Sequence, residues 1–263
     1  LPERAGHPSL LQEAWMATGN LTTDAVAYFF VGLGYLAAGV FLLGLLRRLY
    51  VFLRAPVPLK ITLTPGPTTY AGVVRRMAGQ VLLFPHLFRA DLPLWLGSLT
   101  FHFSLLLVLL RHLRYFLYPV PQWVVDLQPW GVYAGYVMPA AVVFLFWRRL
   151  ARDRELYLTG PLDFGVLVLL GGIGASGLIL HYYARAYLVD VKAFILSLLS
   201  LNPTAPPMHP VFLLHFFLVA VLLIYFPYGK LVHMIGILLS PTLNQRFNVR
   251  RKRHLNPWDF PVD

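Results

Sequence analysis

Five stretches of the chain run apolar for long enough to cross a bilayer as a helix, which takes about 20 residues. They lie near 24–46, 93–117, 131–147, 162–184 and 210–239. None shows the period-two alternation of a barrel strand, and a helical bundle is the remaining way to satisfy the backbone within lipid. The predicted fold class is therefore all-α integral membrane, a five-helix transmembrane bundle. The fifth stretch exceeds one crossing, which predicts a tilt, a kink at Pro227 or an extension past the headgroups. Residues 55–91 leave room for a small amphipathic helix around Tyr70–Phe84 lying on the membrane surface. With no repeat of period 20–50 and no low-complexity tract, residues 1–240 read as one domain followed by a basic tail, 241–263.

The polar positions between these stretches set an orientation. Lys and Arg are retained on the cytoplasmic side of short loops. Arg47, Arg48, Arg54, Lys60, Arg75, Arg76 and Arg89 separate the first two spans; Arg148, Arg149, Arg152 and Arg154 follow the third; Arg246, Arg250, Arg251, Lys252 and Arg253 follow the fifth. The opposite loops, 118–130 and 185–209, offer Arg185 and Lys192 and are otherwise rich in Pro and Trp, as interfacial connectors are. An outside N-terminus and a cytoplasmic C-terminus follow, in the inner cell membrane. The chain begins at Leu1, and residues 1–23 lack a basic start followed by an apolar run, so no signal peptide is expected there; the missing initiator Met leaves room for a preceding segment.

Composition narrows the chemistry. The chain is 58% hydrophobic and 13% charged, with a mean hydropathy of +0.64, so lipid is the solvent for most of it. Its net charge of +11 belongs to membrane topology rather than to nucleic acid, because the basic residues fall between apolar runs instead of on one face. The absence of cysteine excludes protein disulfides, protein-ligated iron–sulfur clusters, thiolate zinc sites and thioether-linked haem. Histidine is left to hold any redox centre.

Four histidines fall within two spans, His102 and His112 in the second and His215 and His233 in the fifth. Ionisable side chains at membrane depth are costly and point to function. Ten positions in a straight helix span about 15 Å and eighteen about 27 Å; eighteen residues are five full turns, so His215 and His233 are expected to share a face. The two spans run in opposite directions, which puts His102 and His233 toward the cytoplasm and His112 and His215 toward the outside. Two imidazoles from facing helices at one depth supply both axial ligands of a haem iron. The expectation is two b-type haems, held by His102/His233 and His112/His215. Zinc or copper is the chemical competitor, disfavoured because no carboxylate completes a shell. Arg111 and Arg114 bracket His112 and either pair with haem propionates or snorkel to the headgroups. Gly32, Gly34, Gly39, Gly44, Gly171, Gly172, Gly174 and Gly177 fit close helix packing or room for a macrocycle, packing being the more ordinary reason.

At these residues the chain resembles the NarI-like family of dihaem cytochrome b subunits, the membrane gamma subunits of respiratory nitrate reductases. Phe101-His102 with His112 ten residues on, and the pair His215 and His233, carry the likeness, which covers residues 24–240. PLWLGSLTFHFSLLLVLLRHLRYF, LHFFLVAVLLIYFPYGKLVHMIGILLSPTLNQR and the tail NPWDFP are more similar to the DsrM branch, the cytochrome b of the sulfite-reduction-associated DsrMKJOP complex. That resemblance implies electron transfer from menaquinol to a cytoplasmic iron–sulfur subunit, DsrK-like and similar to heterodisulfide reductase catalytic chains, with the terminal reaction on that partner. The long segment 55–91 departs from a minimal loop of the family. A gamma subunit of a nitrate-reductase-type complex, a transporter and a non-redox membrane anchor stand as alternatives. The spans hold almost no buried carboxylate for a transporter, and an anchor would not require four histidines.

A quinol needs proton-exchanging groups beside a haem. His181, Tyr182, Tyr183, Arg185 and His209, at the outer helix ends, are the candidates, against an ordinary aromatic and basic girdle. Asp126 reads as a proton-release group or, more ordinarily, a solvated loop carboxylate. The cytoplasmic Asn256-Pro257-Trp258 stretch is expected to dock the partner, and the basic cluster around it to meet anionic lipid.

Overall fold

Leu, Val, Phe and Gly dominate each apolar stretch, and each folds as helix. The computed structural model describes residues 10–55 and 66–247, with side chains for 24–55 and 66–247, and the backbone of two short strands in the tail. In chain order the elements are α1 (Leu10–Arg54), α2 (Tyr70–Leu83), α3 (Pro85–Ala90), α4 (Leu92–His112), α5 (Gln122–Asp126), α6 (Gln128–Ala151), α7 (Asp153–Leu158), α8 (Pro161–Tyr182), α9 (Leu188–Leu199), α10 (Pro210–Tyr225), α11 (His233–Gly236), α12 (Pro241–Asn244), β1 (Arg253–Leu255) and β2 (Phe260–Val262). The two strands form an antiparallel hairpin with His254 opposite Pro261. Asn256, Pro257 and Trp258, read from the sequence as a docking stretch, lie outside the described residues.

Among the described residues, four helices are long and apolar enough to cross a membrane: Asp24–Arg54, Leu92–Tyr115, Gln128–Ala151 and Pro161–Tyr182. A bent pair, Pro210–Tyr225 with Lys230–Asn244, whose halves meet at 72°, makes a fifth when the two are counted as one span. The protein is a multi-pass membrane protein. Its helices pack in sequence α4 on α6, α6 on α8, α8 on α10 and α10 on α1, so that α4 and α10 face each other without packing directly together. Between them the core is modest: Val142, Leu167 and Leu170, with Phe101, Phe146, Val166 and Leu222 around them. Few side chains of the spans are buried within the chain, as suits helices that face lipid.

Of the outcomes that the length of the fifth stretch left open, the kink at Pro227 is the one that forms. Pro227 removes a backbone donor, and the chain turns through Phe226–Gly229, where the Tyr228 and Gly229 amides both close on the Tyr225 carbonyl, at 3.0 and 3.2 Å. The freed Pro227 carbonyl accepts a hydrogen bond from Arg48 Nε of α1 at 2.8 Å. Gly44 permits that approach, since a Cβ there would sit 2.5 Å from Pro227 Cγ. The eighteen residues from His215 to His233 are thus no continuous five-turn face, and the 27 Å separation of a straight helix does not apply.

Charged groups collect where α4, α8 and α11 begin and α6 ends, hereafter the basic end. Asp91 caps α4, its Oδ1 accepting from the Leu94 amide at 2.8 Å. Its Oδ2 lies 2.5 Å from Arg148 and 2.6 Å from Arg152, and Arg148 also reaches Glu155 at 3.5 Å. The Leu94 amide, foremost, and then Arg148 hold the Asp91 carboxyl below the usual carboxylate range, against a partial opposing effect of burial. The amphipathic segment expected near 70–84 is α2; Trp95 Nε1 donates to its last carbonyl, Leu83 O, at 2.7 Å. Arg76 of α2 donates to the Leu243 carbonyl of α12 at 2.6 Å, tying the surface helix to the segment beyond the bend.

At the opposite, loop end, residues 185–209 are more than a connector. They include α9, an apolar helix whose Phe194 is fully buried against Phe212 and Phe216. Tyr35 of α1 donates to the α9 carbonyl of Leu198 at 3.2 Å.

Candidate functional site

His102 and His112 stand on α4, ten residues apart, and both face α10. His215 lies in the second turn of α10 and His233 starts α11, beyond the bend. The structure brings them together in pairs: ring centroids of His102 and His233 are 6.0 Å apart, and those of His112 and His215 are 6.5 Å apart. The first pair sits toward the basic end and the second toward the loop end. The planes differ between pairs, near-perpendicular at 84° for His102/His233 and near-parallel at 16° for His112/His215.

All four rings have Nδ1 engaged. His102 Nδ1 donates to the Ser98 carbonyl at 2.8 Å, His112 Nδ1 to the Val108 carbonyl at 2.7 Å and His233 Nδ1 to the Lys230 carbonyl at 2.9 Å. His215 Nδ1 meets the Ser176 hydroxyl of α8 at 2.9 Å. An N–H committed to a carbonyl fixes the tautomer and leaves Nε2 with a free lone pair, the arrangement found behind metal-bound histidines.

The spacing can be tested against a bis-imidazole iron. Two metal–nitrogen bonds of about 2 Å plus the two ring radii put the centroids about 6.3 Å apart. Both pairs match this, and both lie in the space where α4 and α10 face each other without packing. Among the described residues no group of three or more His, Cys, Asp or Glu converges as a closed zinc or copper shell would need. The residues fit haem.

Aromatic side chains wall the pairs. Phe84 and Phe101 stand edge-on to His102 at 5.2 and 5.1 Å, and Tyr115 is 5.8 Å from His112. The glycines divide by position. A Cβ on Gly97 would lie 2.5 Å from Phe144, and one on Gly174 would lie 2.6 Å from Pro139, so these serve helix packing. Gly177 differs, because its Cβ position is 3.4 Å from His215 Cε1.

Arg111 and Arg114 separate in their surroundings. Arg111 is half-buried, its stem lies against Gly131, and its buried Nε has no hydrogen-bond partner among the described residues. Such a donor asks for an acceptor. Arg114 instead stands over the Tyr115 ring at 5.9 Å and lines an open cavity of about 230 Å³ with Val120, Val124, Val125 and Gln128.

The expected quinol residues are only partly gathered. His181 packs edge-on to Tyr182 at 4.5 Å, and Tyr182 lies 5.5 Å from Tyr136 of α6; Arg111 and Arg185 are the charged neighbours of His181. Tyr183 points outward, and His209 precedes α10 with a buried Nδ1 that lacks a partner among the described residues. Asp126 is exposed and accepts from Gln122 Nε2 at 2.9 Å. Sequence reading missed Tyr136, Ser176 and the Lys230–Asp163 ion pair, 2.7 Å, beside His233. A serine next to Gly177 in an otherwise apolar span was the available signal for Ser176.

Two curated relatives align along most of the chain. Each is described as an "Hdr-like menaquinol oxidoreductase cytochrome b-like subunit". The protein from Archaeoglobus fulgidus is 35% identical over 87% of this chain and 82% of its own length. That from Archaeoglobus profundus is 33% identical over 88% of this chain and 83% of its own. Residues 87–253, which carry all four histidines, match the family described as "Nitrate reductase gamma subunit". This chain therefore belongs to the nitrate reductase gamma subunit family.

Proposed function

We propose that this chain is the dihaem cytochrome b subunit of a membrane quinol-linked complex. His102 and His233 ligate one haem b, His112 and His215 the other, and electrons pass between the menaquinone pool and a soluble iron–sulfur subunit. The observation that carries the reading is the pair geometry: two sets of imidazoles, each with Nδ1 engaged and centroids at 6.0 or 6.5 Å, at two levels between α4 and α10. Haem at these positions supplies one-electron carriers spaced across the bilayer.

The chain's own groups do the rest. With Nδ1 held from behind, Nε2 carries the free lone pair of each ring. Arg111, with an unpartnered Nε beside His112, binds a propionate of the haem at the loop end. His181, Tyr182 and Tyr136, on that same level, orient a quinol hydroxyl and accept its protons, with Arg185 at the entrance. On this reading the basic end faces the cytoplasm, the N-terminus lies outside and the chain sits in the inner membrane, which the Arg and Lys residues at that end support. The iron–sulfur partner, a DsrK-like chain of the heterodisulfide-reductase type, then meets the His102/His233 end. Relatives named as Hdr-like menaquinol oxidoreductase subunits along nearly the whole chain favour this partner class over a nitrate reductase.

Reduced-minus-oxidised absorbance with haem quantitation on the purified full chain tests the proposal. Two b-type haems per chain are expected, and one after His112→Ala with His215→Ala. An absent b-type band, or a spectrum unchanged in that variant, overturns it; one haem in the unaltered protein removes one of the pairs.

A further inference from the structure

Three of the four histidines set Nδ1 against a carbonyl of their own helix or of the turn just before them, and the fourth sets it against a hydroxyl. His215 Nδ1 lies 2.9 Å from Ser176 Oγ, on a different helix. Ser176 is only 4% exposed, and its hydroxyl donates to the Ile173 carbonyl one turn earlier at 3.0 Å. A hydroxyl has one proton. With that proton on Ile173 O, Oγ faces His215 as an acceptor, so the imidazole proton sits on Nδ1 and Nε2 is free. Gly177 beside it leaves the ring room at Cε1, 3.4 Å from the Cβ position.

From this we infer that Ser176 is a positioning residue for the loop-end haem: it selects the ligating tautomer of His215 and sets that haem's potential apart from the other's. The inference rests on the ligation proposed above. A neutral hydroxyl is a weaker acceptor than a peptide carbonyl, so His215 donates less electron density to iron than the three carbonyl-backed ligands do. The oxidised iron makes the Nδ1–H more acidic and strengthens its hydrogen bond; an acceptor there therefore favours the oxidised state. Removing it favours reduction, and the haem at the other level should not notice.

The test is a spectroelectrochemical titration of each haem in full-length protein in its membrane, for Ser176→Ala, Ser176→Thr and Ser176→Cys. With alanine, the reduced-to-oxidised ratio of the His112/His215 haem at a fixed potential should rise about tenfold, ~59 mV for a one-electron couple. Threonine, which keeps the hydroxyl and its bond to the preceding turn, should restore the original value. Cysteine should fall between, and it gives the reading if alanine fails to retain haem. An unchanged ratio for that haem, an equal shift in both haems, or threonine behaving as alanine would overturn the inference. Should the His112→Ala/His215→Ala protein keep both haems, the ligand assignment is what fails; should it lose one while Ser176→Ala moves nothing, the serine alone is refuted.

Discussion

The angle between the two rings of each pair makes a spectroscopic prediction that separates the two levels. An axial imidazole interacts through π overlap with the iron d orbital perpendicular to its ring. Parallel rings act on one orbital and split the pair; perpendicular rings act on both and cancel. The combined splitting falls as the cosine of the interplanar angle. At 84° the His102/His233 pair retains about a tenth of the parallel value, whereas at 16° the His112/His215 pair retains about 96%. On the ligation proposed above, oxidised, low-spin protein should therefore show two electron paramagnetic resonance signals, one strongly anisotropic and near-axial, the other rhombic. Deleting His112 and His215 together should leave the near-axial signal, and deleting His102 and His233 the rhombic one. Two signals of equal anisotropy, or removal of the wrong one in either variant, would refute the assignment of ring geometry to level.

Other outcomes follow from contacts at the basic end. Asp163→Asn breaks the ion pair with Lys230, whose carbonyl holds His233 Nδ1; Lys230 is 80% exposed, so only about 1 kcal/mol is at stake. Haem retention at His102/His233 should fall about two- to fivefold in a washing assay, with the other haem unaffected. Asp91→Asn keeps an oxygen to cap α4 but takes the nearer carboxylate from Arg148, which is 4% exposed and keeps Glu155 at 3.5 Å; thermal unfolding in detergent should report a loss of about 2 kcal/mol, between an exposed pair and a broken buried one. The folded Asp91 carboxyl titrates lower than the unfolded one, so its stabilisation is complete above the unfolded value near pH 4 and disappears as pH falls through the folded value. Acid unfolding of the asparagine variant should lack that step. Gly97→Ala forces a methyl onto Phe144 at a close contact of α4 with α6 and should cost about 1–3 kcal/mol by the same thermal assay.

Hydropathy made the second, third and fourth spans legible: stretches expected at 93–117, 131–147 and 162–184 correspond to Leu92–Tyr115, Gln128–Ala151 and Pro161–Tyr182. Length and apolarity alone set those boundaries, with Pro93, Pro129 and Pro161 in their first turns. The fifth span was less legible because hydropathy does not register direction. Pro227 signalled a kink, but the size of the turn depends on Arg48 and Gly44 of α1, remote in sequence. Spacing along a straight helix misjudged the separation of His215 and His233: ten residues on one helix and eighteen on the other do not match in length, and the bend is what reconciles them. The helix α9 was hidden because 12 residues is too short for a crossing, and Ser176 because one hydroxyl in a long apolar run says nothing of what it faces until helices are placed.

The bend in the fifth span has a consequence for where the electrons leave. Its straight part, α10, has 16 residues, about 24 Å of rise, against about 30 Å of hydrocarbon. The chain runs out of helix before it runs out of lipid core, and His233 reaches the next level on a segment that turns sideways. That ring is exposed in the isolated chain, whereas His112 and His215 are sheltered. On the proposed ligation, one carrier is enclosed by helices while the other presents an edge near the headgroup plane. A soluble acceptor would need no tunnel or arm into the membrane; resting against the basic end of the bundle would bring it within transfer range.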